Sequence, residues 1–62
     1  MSEFRKIYNY FKSIYPELKM NCPNMFVVIS KALETHIFQK HSEAYLFAIR
    51  QYGLGNFMLQ PI

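Results

Sequence analysis

The chain has 62 residues, enough for one domain, and at this length folding buries only about 60% of the surface that the unfolded chain exposes. A single cysteine, Cys22, excludes an internal disulfide, the ligands of a structural zinc site are missing, and the expected substitute is a dense aromatic core or a partner chain, either of which six Phe and five Tyr would suit. The net charge of +3, from seven Lys and Arg against four Asp and Glu, favours acidic partners without the run of like charge that marks a basic tail.

The chain opens on Met1, carries no repeat or low-complexity tail, and is expected to be a complete small gene product. Ser2 can cap a first helix, with Glu3 in its first turn, where a negative side chain suits the positive end of the helix dipole. Phe4, Ile7, Tyr8, Phe11, Ile14 and Tyr15 recur at three- and four-residue spacing and share a face. Arg5, Lys6, Asn9, Lys12 and Ser13 fall on the other side, and Tyr10 has no place in the stripe. The spacing predicts a helix from Glu3 to Tyr15, ended by Pro16, with a connecting loop from Pro16 to Asn24.

The next stretch, Met25 to Gln39, admits two readings. Phe26-Val27-Val28-Ile29 and Thr35-His36-Ile37-Phe38 are β-branched or aromatic runs, and Ala32-Leu33-Glu34 between them reads as a hairpin connection. Met25, Ile29, Leu33 and Ile37 also lie four apart, so a helix beginning near Asn24 would give a three-helix, all-α protein. The weak helix propensity of the β-branched cluster favours the hairpin.

From Ser42 the signals are plain. Ser42 is expected to cap a helix, Glu43 to complement its dipole, Ala44, Phe47, Ala48 and Tyr52 to form its buried stripe, and Gly53 to close it. The alanines imply close packing on a sheet, while Tyr45, Leu46 and Ile49 widen the apolar surface beyond one stripe. Phe57-Met58-Leu59-Gln60 then alternates as a short strand before Pro61. The predicted architecture is α+β: an N-terminal helix followed by a ββαβ unit with a small three-stranded sheet. The first strand is expected at the centre, the Ser42 helix on one face, and the leading helix beside it or on an edge.

Catalytic signals are weak. Glu3, Glu17, Glu34 and Glu43 are scattered with no paired spacing, and His36, His41 and Cys22 make at most a partial metal set. Gly53 and Gly55 read as turn glycines, with no phosphate loop implied. Neither an enzyme nor a cofactor is expected. The amphipathic first twenty residues and the short apolar runs argue against a signal peptide or membrane span, so a reducing cytoplasmic setting is expected.

The leading expectation is a regulatory or inhibitory protein that binds another protein chain, either a second copy in a homodimer or a larger host protein. Its surplus apolar residues mark the contact, with Tyr10, Tyr45, Leu46 and Ile49 as anchors. From Met25 to Ile62 the order of hairpin, Ser42-Glu43-Ala44 helix, glycine and strand is similar in outline to small phage-encoded proteins that bind and inhibit host machinery. That likeness, one of size and element order, implies a viral origin and a host target and assigns no residues. The alternative is a single-stranded nucleic-acid binder in which Tyr8 and Tyr10 stack on bases while Lys6 and Lys12 follow the phosphates.

Overall fold

The computed structural model describes residues 2–62, with side chains from residue 4 onward. Helix α1 runs Ser2–Asn21, strand β1 Phe26–Ser30, strand β2 Thr35–Phe38, helix α2 His41–Tyr52 and strand β3 Phe57–Pro61. The strands form one sheet in the order β2-β1-β3, with β1 antiparallel to both neighbours. This is the predicted α+β arrangement of helix and ββαβ unit, and the hairpin reading of the Met25 to Gln39 stretch holds over the third helix.

The central strand sets the layers. Its residues alternate between faces, and all of Val27, Val28 and Ile29 are fully buried, so both faces of β1 are covered. Val27 and Ile29 join Ile7 and Phe11 of α1 and the C-terminal Ile62 in one cluster. Val28 points the other way, into a second cluster with Ala44 and Ala48 of α2. The helices therefore lie on opposite faces of the sheet, and the expectation that α1 sits beside α2 or at an edge is corrected. The cause is the amphipathic stripe of α1, which needs an apolar sheet face of its own, and the alternation in β1 provides one.

Two expected boundaries also move. Pro16 does not end the first helix; it lies inside α1, which continues to Asn21. A proline there removes one bond to the Lys12 carbonyl, but the position is exposed, and Leu18, two residues further on, and Cys22, just past the end of the helix, pack against the core cluster. Burial of the last turn outweighs the missing bond, and the loop from Pro16 to Asn24 shrinks to its final residues. The expected cap at Ser2 and dipole contact of Glu3 concern side chains outside those described.

The start of α2 differs too. Its N-cap is Lys40, in extended conformation and without a side-chain cap bond, and Ser42 lies inside the helix. The first turn is held by rings: His41 meets the edge of Phe26 at 5.5 Å and stacks on Tyr45 at 6.3 Å. Gly53 closes the helix as expected of a glycine, at φ 86°, and its N–H donates to the carbonyls of Ala48 and Ile49.

The hairpin turn lacks glycine. Leu33 takes φ 65° instead, a conformation that costs a non-glycine residue roughly 1–2 kcal/mol. It is held there because its N–H donates to the Ser30 carbonyl at 2.9 Å and its side chain packs on the α1-side cluster. The nearly buried Ser30 hydroxyl completes the turn by accepting from the N–H groups of Ala32 and Glu34. At the other end, Pro61 belongs to β3, opposite Phe26. The Ile62 N–H donates to the Met25 carbonyl at 2.8 Å, so the alternation of the ladder turns the Pro61 nitrogen outward, as an edge strand allows.

Candidate functional site

Helix α2 approaches the sheet through Ala44 and Ala48, both 0% exposed, and small side chains at those two positions let the backbone come close to Val28. Close approach leaves the opposite arc of the helix facing out. Tyr45 is 41% and Leu46 53% exposed. Ile49, half-buried, is not among the side chains packed against either core cluster. Tyr45, Leu46 and Ile49 thus share one outward surface. Tyr10 does not join them: it is half-buried against the α1-side cluster, across the sheet.

The residues of the nucleic-acid reading also separate. At about 100° per residue, Tyr8 and Lys12 fall on one flank of α1, and Lys6 and Tyr10 on the other. Tyr8 is 47% exposed, and the Lys12 ammonium lies over its ring, 5.6 Å from the centroid. Lys6 is exposed but too far round the helix to act with them.

A polar chain unread in the sequence crosses the α2 side of the sheet. The Tyr52 hydroxyl donates to Glu34 Oε1 at 2.9 Å and lies 3.0 Å from His36 Nε2. A hydroxyl has one proton, so with that proton given to Glu34 the imidazole donates through Nε2. The His36 ring rests on Phe47, 4.6 Å between centroids. Burial, then the Glu34 carboxylate, hold the Tyr52 phenol above its ordinary pKa, and the Ser30 hydroxyl opposes them weakly. A tyrosine kept protonated between carboxylate and imidazole is a poor base and a good latch, here between the end of α2 and the hairpin. The sequence signal for it was slight: Glu34 and His36 alternate onto one strand region, and Tyr52 occupies the last turn of a helix that must return over it.

Cys22 belongs to the α1 side of the sheet and His36 to the α2 side, so the partial metal set does not assemble. Among the described residues no group of three His, Cys, Asp or Glu side chains could hold a metal ion. No helix of the described residues is long and apolar enough to cross a membrane. No protein-family profile, no curated protein and no solved structure matches this chain.

Proposed function

We propose that this chain is a small non-enzymatic regulatory or inhibitory protein that acts by covering the surface of another protein chain with the outward face of α2. The observation that carries the reading is the division of that helix. Ala44 and Ala48 are fully buried while the larger Tyr45 and Leu46 stand out in solvent. Tyr45 also stacks on His41 within the chain, but the outward arc that it forms with Leu46 and Ile49 is a contiguous apolar surface of the kind that marks an interaction site. Tyrosine is enriched among the anchors of protein interfaces, and Leu46 beside it supplies apolar area. Two further features agree with it: both edge strands, Thr35–Phe38 and Phe57–Pro61, carry no Lys, Arg, Asp or Glu, and an uncharged edge is open to pairing with another chain.

The proposed setting is the cytoplasm, and the likeness in outline to small phage-encoded inhibitors makes a host protein the proposed target. Leu46→Asp tests the reading, because a charge at this exposed position leaves the fold intact and opposes burial against a partner. Binding to the captured partner, or self-association measured by sedimentation, should weaken by about 2 kcal/mol or more, with an unchanged circular dichroism spectrum. Tyr45→Ala should act in the same direction. A variant that binds and associates like the parent removes the α2 face from consideration.

A further inference from the structure

Because α1 runs unbroken through Pro16 to Asn21, Lys19 belongs to the same helix as Arg5. Arg5, Tyr8, Lys12, Tyr15 and Lys19 then follow one another at steps of three, four, three and four residues, so cation and ring alternate along one flank. At 3.6 residues per turn these five fall within an arc of about 80°, on a line about 21 Å long. Arg5, Tyr8, Lys12 and Lys19 are exposed, and Tyr15 is half-buried. The ring of Tyr15 is braced edge-on by Phe11, 5.4 Å between centroids. Between the two tyrosines, Tyr8, Phe11, Lys12, Tyr15 and Pro16 line a depression of about 290 Å³. Glu17 lies two positions from both Tyr15 and Lys19 in sequence, but at about 100° per residue it falls on the far side of the helix.

We infer that this flank of α1 is a binding site for single-stranded nucleic acid, separate from the α2 face. Unpaired bases present flat apolar faces to Tyr8 and Tyr15, and the phosphates between them meet Arg5, Lys12 and Lys19. Cations one heptad apart are spaced about 10.5 Å, close to three nucleotides at about 3.4 Å each in a stacked strand. Lys12 is placed for both duties: it covers the Tyr8 ring at 5.6 Å in the free protein, and a base that takes its place leaves the ammonium beside the phosphate. Charge complementarity alone would also suit an acidic helix or an anionic bilayer. The stripe has none of the aliphatic knobs that a helix seam requires, and the apolar face of α1 that would enter lipid is already buried on the sheet.

The test is fluorescence anisotropy of the whole chain with labelled oligothymidine, a duplex of the same length, polyglutamate, and vesicles of anionic phospholipid. Three phosphate contacts give a slope of about −2 in log K against log salt, so oligothymidine affinity should fall about 20-fold between about 50 and 200 mM salt. Tyr8→Ala should weaken binding about tenfold, with Tyr8→Phe restoring it, and Lys12→Gln should lower the slope by about 0.7. Leu46→Asp, on the opposite side of the molecule, should bind as the parent does. Duplex, polyglutamate or vesicles bound as tightly as oligothymidine overturns the inference. So does indifference to Tyr8→Ala, or no binding at the lower salt.

Discussion

The two faces of the sheet are built on different plans. On the α1 side large side chains do the filling: Ile7, Phe11, Val27, Ile29 and Ile62 are the buried set, and they hold the helix away from the strands by their own bulk. On the α2 side the buried set is Val28, Ala44 and Ala48, ringed by half-buried Phe26, Phe38, Tyr52, Phe57 and Leu59. There the helix backbone lies close, and the aromatics form a collar around the contact instead of its centre. The consequence is visible at the surface. The helix seated on long side chains packs Ile7, Tyr10, Phe11, Ile14, Tyr15 and Leu18 against the sheet, and leaves Phe4, Tyr8 and Met20 outside beside its cations. The helix seated on alanines brings Phe47 and Tyr52 into the collar and leaves Tyr45 and Leu46 facing outward.

The comparison breaks most decisively at the α1 face. Ile7 is fully buried, and Ile7→Ala should cost about 2–5 kcal/mol in urea unfolding, most of what a domain of this size has to lose. A loss below about 1 kcal/mol would mean that the face is not packed as described. The α2 face should respond to the opposite change. Ala48→Leu forces a larger side chain into the close contact with Val28 and should cost about 1–3 kcal/mol, whereas adding bulk at exposed Leu46 should not. If Ala48→Leu is neutral, α2 does not approach the sheet on its alanines.

How far the sequence revealed this fold follows the same division. The Ala44, Ala48 and Gly53 pattern placed α2 on a sheet correctly, because small residues at helical spacing and a terminal glycine have few other uses. The strand runs were legible because β-branched residues dominate them, although Leu33 at φ 65° gave no turn signal. Pro16 misled, since local backbone chemistry reads as a stop while the packing of Leu18 and Cys22, a tertiary effect, keeps the helix going. The alternating flank of α1 was hidden by that same error, as Lys19 seemed to lie in a loop. The Glu34, Tyr52 and His36 chain depends on a fold-back that no local pattern encodes. Pro16→Ala measures the conflict directly. It should restore the bond to Lys12 and stabilise the protein by about 1–2 kcal/mol, seen as a higher urea midpoint. A fall in stability would show that the proline ring itself is needed against Tyr15 or Lys12.

The smallest expected effect distinguishes the α2 face by its chemistry. Tyr52→Phe keeps the ring against Phe47 and His36 and removes only the hydroxyl shared with Glu34 and His36. Glu34 is exposed and is resolvated on losing its partner, so the cost at neutral pH should be about 1 kcal/mol. Its pH dependence has a definite sign. The folded phenol is held above the ordinary value of 10.0, so the folded state binds this proton more tightly than the unfolded chain does. The stability that follows from this is whole below pH 10 and is lost as pH rises through the folded value. The advantage of the parent over Tyr52→Phe should therefore be constant near neutrality and shrink in alkali. The other four tyrosines are common to both proteins and cancel in the difference. A gap that stays constant into alkali would mean that burial and Glu34 do not hold the Tyr52 proton. The α2 side would then rest on its ring collar and alanines alone.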